Sequence, residues 1–227
     1  MSCARLAAAL SLATAVALPA QANLLANGGF EFPALGSGYA AYDQGQTIGA
    51  WTVVGTGNPV ASVLALHTTY QEYSNTLSFS AYEGVVSLDL TGSGHQGANG
   101  VQQSVATTAG AVYALSFQIG NQDSAFGGYG AGSVIEVFID AVSAGVFANS
   151  DENPADVNWK GFSLTFTAAS ASTTIAFINA TAAYDFMTGL DAVSLVEVPE
   201  PAGMALLLWG AVATIGGLRR RRTTPRA

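Results

Sequence analysis

Two acids near opposite ends of the chain, Glu31 and Asp191, have the surroundings best suited to holding a metal ion. Asp191 precedes Val193 and Leu195 at a spacing of two, which in a strand points its carboxylate to their buried face. An ionised carboxylate on a core face is costly without a partner, and Lys160 is the only base between Asn23 and Val198. Glu31 closes the run NGGFE, where Gly28 and Gly29 let the backbone turn and expose carbonyls. Two carboxylates with carbonyls and water fit the roughly six to eight oxygens that calcium prefers, whereas zinc takes His or Cys. The expectation is a structural calcium ion on Glu31 and Asp191. The competing reading leaves Asp191 just beyond a sheet edge, solvated or capping a backbone turn.

Sugar recognition is the second chemistry the residue types allow. Tyr39, Tyr42, Tyr70, Tyr73, Tyr82, Phe126, Tyr129 and Tyr184 lie in or beside polar loops. An exposed tyrosine stacks on the apolar face of a sugar while a neighbouring Asn or Asp bonds its hydroxyls. The first candidate site is GNQDSAFGGYG, with Asn121, Asp123, Phe126 and Tyr129; the next is HTTYQEY, with Tyr70 and Tyr73. The competing reading has these rings closing the ends of the fold over its core. Trp51, in a strand that begins after Gly49, is assigned to the core.

Catalytic patterns are missing from the sequence. His67 and His95 are the only histidines and have no metal-ligand spacing. Neither a G-x-S-x-G elbow nor a Walker loop occurs. Gly127, Gly128, Gly130 and Gly132 sit between strands with no following helix to cradle phosphate. Fourteen acids in the body permit a glycosidase-like carboxylate pair without indicating one. The expectation is a protein that is not an enzyme.

The elements that must position these residues read as strands almost throughout. Tyr113, Leu115, Phe117 and Ile119 share one face, as do Phe162, Leu164 and Phe166, and as do Ile135, Val137 and Ile139. Val86, Leu88 and Leu90 follow the same period, and so do Ile175 and Phe177. Gly, Ser, Asn and Asp clusters such as TGSGHQGANG and ANSDENPAD separate the runs, and no helical repeat competes. Residues 23–198 therefore form one all-β domain, a β-sandwich. The pieces NLLANGGFEFP, AWTVVG, GVVSLDLTG, GVQQSVATTAGAVYALSFQIGN and GLDAVSLVEV resemble the DUF642-type, galactose-binding-like jelly rolls, a fold shared by several carbohydrate-binding modules. That resemblance implies a jelly-roll β-sandwich with a carbohydrate-binding role. It also implies a structural calcium held by the Glu of the opening motif and the Asp of the closing strand, here Glu31 and Asp191.

Charge restricts the partners. The whole chain carries a formal −8, but residues 23–198 hold one lysine against fourteen acids, a formal −13. Such a surface repels nucleic acid and anionic lipid, which need a basic footprint. Neutral sugars and calcium remain suitable partners.

The ends of the chain carry a different message. Arg5, the apolar run Leu6–Leu18 and Ala20-Gln21-Ala22 read as a signal peptide over residues 1–22, its helix cleaved before Asn23. The single cysteine, Cys3, falls inside it, so the mature chain has no disulfide. Residues 202–218 are uncharged and long enough, at about 1.5 Å per residue, for a transmembrane helix at the lower limit of a bilayer core. Arg219, Arg220, Arg221 and Arg222 follow and would stay on the cytoplasmic side, leaving the body outside. Pro199, Glu200 and Pro201, the apolar span and the basic tail 219–227 together resemble the PEP-CTERM sorting signal of Gram-negative bacteria over residues 199–227. The resemblance implies recognition by an exosortase in the inner membrane, then delivery to the cell surface or to extracellular polysaccharide.

Overall fold

The computed structural model describes residues 21–72, 77–94, 97–122, 129, 132–151, 155–182 and 187–199. Outside them lie residues 1–20, where most of the expected signal peptide falls, and residues 200–227, with Glu200, Pro201, the apolar run 202–218 and Arg219–Arg222. Tyr73, His95, Asp123 and Phe126 also fall outside, and Pro199 is exposed at the end of the described chain. Among the described residues there is no helix long and apolar enough to cross a membrane.

Among the described residues fourteen strands appear in chain order. They are β1 (Tyr39–Tyr42), β2 (Thr47–Ile48), β3 (Trp51–Gly55), β4 (Val63–His67), β5 (Gln71–Glu72), β6 (Leu77–Ser78) and β7 (Val86–Asp89). Then follow β8 (Asn99–Ala106), β9 (Val112–Asn121), β10 (Ser133–Ile139), β11 (Val142–Asn149), β12 (Asn158–Thr167), β13 (Ser172–Asn179) and β14 (Gly189–Val198). Two six-stranded sheets form, in the orders β1-β4-β7-β14-β9-β12 and β11-β10-β13-β8-β3-β2, with β5 and β6 as a separate ribbon. All pairings are antiparallel, and the chain crosses repeatedly from one sheet to the other. The alternating runs imply such a β-sandwich, and its jelly-roll form agrees with what the resemblance implies.

The alternation sets the core. Tyr113, Leu115, Phe117 and Ile119 of β9 face Ile135, Val137, Ile175 and Phe177 of the opposite sheet, and each is at most 1% exposed. Phe117 meets Phe177 edge-on, with ring centroids 5.0 Å apart. Phe162, Leu164 and Phe166 of β12 pack on the same core from the sheet margin. Trp51 is fully buried between Phe30 and Phe177, as expected for a core residue, and its indole N–H donates to the Asn27 carbonyl at 2.9 Å. Each such side chain contributes about 1.5–3 kcal/mol, and the rings account for a large share of the buried apolar surface.

The opening segment joins the last strand. Leu24 N–H donates to Leu195 O at 2.9 Å, and Val193 N–H donates to Gly28 O at 2.9 Å. The Asn23 amide bridges them, donating to Val193 O and accepting from Leu195 N–H. A β-carbon on Gly28 would lie 2.0 Å from Val193 O, so only glycine permits this approach. Glu31 and Asp191 are thereby carried to one end of the same sheet.

The spacing rule for Asp191 needs a correction. The β14–β9 register shifts between Asp191 and Ser194, and Ala192 adopts a left-handed φ of 49°. Before the bulge Leu190 pairs with Ile119 in the core and Asp191 with Gln118, on the other face. After it Val193 and Leu195 return to the core. One extra residue thus reverses the alternation, and Asp191 lies on the outer face. It is nonetheless fully buried, because the segment around Tyr82 and Glu83 covers it.

Candidate functional site

The outer face of the β1-β4-β7-β14-β9-β12 sheet is built in rows. One row runs Ala41, Leu64, Asp89, Gly189, Gly120 and Trp159 in mutual register. In the next row Tyr39 pairs with Leu66, and Leu66 with Ser87. The two adjacent glycines leave a shelf for Trp159, whose ring would meet a β-carbon on Gly120 at 2.9 Å and on Gly189 at 3.0 Å. Over this face a second apolar cluster forms from Leu66, Leu77, Phe79, Val157 and Met187, with Tyr70, Tyr129 and Trp159 packed against it.

Between that cluster and the β1–β4–β7 side of the sheet opens a cleft of about 490 Å³. Tyr39, Tyr70, Phe79 and Tyr129 form its aromatic wall; Glu72, Asp89 and Ser93 supply polar side chains. Tyr70 packs on Tyr39 and on Phe79 with centroid distances of 5.3 Å each, and Phe79 on Tyr129 at 5.8 Å. The hydroxyls of Tyr70 and Tyr129 donate to opposite oxygens of the Glu72 carboxylate. Burial first, and the Glu72 carboxylate second, push both phenols well above their ordinary range, so they remain donors.

Asp89 forms the floor and is 5% exposed. Its Oδ1 accepts from Thr91 N–H at 2.9 Å, Thr91 Oγ1 at 2.7 Å and Thr188 N–H at 3.1 Å. Burial raises its carboxyl to about 6, against the opposing effect of these bonds, with a small further push from Glu72. Among the described residues no donor reaches Asp89 Oδ2, and no Lys, Arg or His side chain lines the cleft.

Two of the sugar-binding candidates, Tyr70 and Tyr129, meet in this cleft although 59 positions separate them in sequence. Asn121 is elsewhere: 1% exposed, it donates to Asp151 O and accepts from Ser133 Oγ, bracing the strand ends. Sequence reasoning passed over Glu72, Phe79 and Asp89 as site residues and named Tyr39 only among the loop tyrosines. Glu72 stands inside the quoted HTTYQEY, and Asp89 alternates with Leu88 and Leu90, so its outward direction could have been read.

Glu31 and Asp191 converge on a different feature, the turn from Tyr82 to Val86. Asp191 Oδ2 accepts from Tyr82 N–H at 2.9 Å and Glu83 N–H at 3.1 Å, and its Oδ1 from Ala192 N–H at 2.7 Å. Glu31 Oε1 accepts from Val85 N–H at 2.8 Å and Val86 N–H at 2.9 Å. Burial, with a lesser push from Glu83, raises Asp191 to about 7. Lys160, the one Lys or Arg among the described residues, is engaged at 3.1 Å with Asp151. These all-oxygen donors fit the chemistry of calcium, although backbone amides occupy them and no three acids, His or Cys among the described residues converge as a ready cage.

No family model and no curated protein sequence matches the chain. Several solved structures share features of its shape. The C-terminal domain of EclA, a sugar-binding protein, aligns at 16% identity over 41% of this chain and 64% of that one, with a TM-score of 0.34. TmCBM61, solved with β-1,4-galactotriose, aligns at 15% identity over 78% of this chain and 99% of that one, with a TM-score of 0.44. The arabinose-bound α-L-arabinofuranosidase MgGH51 aligns at 14% identity over 78% of this chain but 26% of its own, with a TM-score of 0.46. These neighbours include a sugar-binding protein and an enzyme.

Proposed function

We propose that the chain is an exported, non-catalytic carbohydrate-binding protein of the cell surface or extracellular matrix, and that the Tyr39–Tyr70–Tyr129 cleft takes the glycan. The observation that carries this reading is the cleft itself: ring faces for a sugar's apolar side beside carboxylate oxygens for its hydroxyls. A glycan and polysaccharide screen of the purified protein, with and without calcium, tests it. Binding should fall about tenfold or more in Tyr129→Ala, a loss typical of an aromatic contact at the centre of a site. Tyr39 is 54% exposed, so Tyr39→Ala should weaken binding with the fold intact. Unchanged affinity in both variants, or no glycan bound at all, overturns the reading in favour of a structural matrix protein.

The Glu72 and Asp89 pair favours a second reading, a glycan-active enzyme. Its weakness lies in the hydrogen bonds: both Glu72 oxygens hold phenol hydroxyls, leaving neither poised to attack. Release of shorter oligosaccharides in the same screen, abolished by Glu72→Gln, would establish it.

Export and sorting rest on the ends of the sequence. Support comes from Arg5 with Leu6–Leu18, and from Pro199-Glu200-Pro201 followed by an apolar span and Arg219–Arg222. Intact-mass measurement should find a surface form that begins at Asn23 and lacks the four arginines. A released form that retains them would remove exosortase processing from the account. Glu31 and Asp191 are proposed to hold a structural calcium, supported by their oxygen donors on one turn and by the pairing of Lys160 with Asp151.

A further inference from the structure

The tyrosine–carboxylate cleft has a donor–acceptor imbalance that narrows its ligand. The phenol protons of Tyr70 and Tyr129 are committed to Glu72, so these hydroxyls can only accept further hydrogen bonds. Glu72 is an acceptor throughout, and Asp89, which lines the cleft and is 5% exposed, has an Oδ2 that no donor reaches among the described residues. A buried anion without a cation is expensive, and a ligand that carries the cation removes that cost. The aromatic wall meanwhile suits a ring rather than a flexible chain.

We infer that the cleft selects a glycan bearing a free, protonated amino group, a hexosamine unit without its N-acetyl cap, whose ammonium lies between Glu72 and Asp89. This rests on the cleft being a glycan site, and it adds the charge of the sugar. An ammonium offers three donors and no acceptor, which matches what the cleft presents. Acidic sugars would meet two carboxylates with no base beside them among the described residues, and an N-acetyl group would replace the charged donor with a bulky amide.

Calorimetric titration of the purified full-length protein with four probes tests it: a β-1,4-linked glucosamine tetramer, its N-acetylated counterpart, cellotetraose and spermidine. The glucosamine tetramer should bind about tenfold or more tighter than either other sugar, the size of one charge-assisted hydrogen bond. Spermidine should not compete with it. Glu72→Gln and Asp89→Asn should each reduce the affinity for the amino sugar to about that of cellotetraose for the same variant. Equal or tighter binding of cellotetraose or the acetylated tetramer overturns the inference and leaves the glycan reading standing. A preference that survives both substitutions places the amine elsewhere, and spermidine competing as strongly as the sugar removes the sugar. Silence from every glycan overturns the inference and the underlying reading together.

Discussion

Asp89→Asn should make the protein more stable at pH 8, by as much as roughly 3 kcal/mol, and leave it nearly unchanged at pH 4. The sign follows from the direction of the shift. Burial raises the native carboxyl from 3.8 to about 6, so the folded protein holds this proton more tightly than the unfolded chain does. The stabilisation from the protonated group is fully present below pH 4 and is lost as pH rises through about 6. Asparagine keeps an oxygen for Thr91 and Thr188 and removes the charge, so only the high-pH penalty disappears. Chemical denaturation at both pH values measures this. An equal loss of stability at pH 4 and pH 8 would show that the substitution disturbs packing and that the carboxylate carries no such cost.

Calcium should raise the melting temperature, and EGTA should lower it again. An ion that binds only the native state stabilises by about 2.7 kcal/mol at a concentration of 100 Kd, which for a domain of this size is roughly 5–10 °C. The turn from Tyr82 to Val86 is the structural element at stake, since four of its amides are held by Glu31 and Asp191. Asp191→Ala should abolish the response. Because that variant also frees buried amides, Glu31→Gln is the milder companion and should weaken the response while preserving the fold. Identical melting with and without calcium, in protein shown to be metal-free, would end the proposal.

The parts of the molecule governed by local alternation were legible in the sequence. β9, β10 and β13 bury residues their period assigns, and β12 lays Phe162, Leu164 and Phe166 half-buried on the same core, because one face of each meets the opposite sheet. β4 was not legible: Val63 and Ala65 enter the main core while Leu64 and Leu66 serve the outer cluster, so no polar face remains to mark the period. The direction of Asp191 was lost to one bulge residue, which period counting cannot detect. The cleft was half legible. Tyr70 and Tyr129 advertise sugar chemistry by their type and loop setting, but their meeting depends on long-range folding of Leu77–Phe79 and Tyr129 over the sheet. Asp89 looks like an ordinary outward acid in a strand; only that cover makes it buried.

The placement of β14 has a mechanical consequence. The strand lies inside its sheet, between β7 and β9, and the chain leaves the domain from it at Val198. Tension drawn from that end enters an interior strand. The bonds to β9, spread from Gly189 to Val198, lie across such a pull and share the load in shear. The opening segment clipped to Leu195 and Val193 is loaded through the same strand, so both ends of the domain are anchored in its best-supported layer.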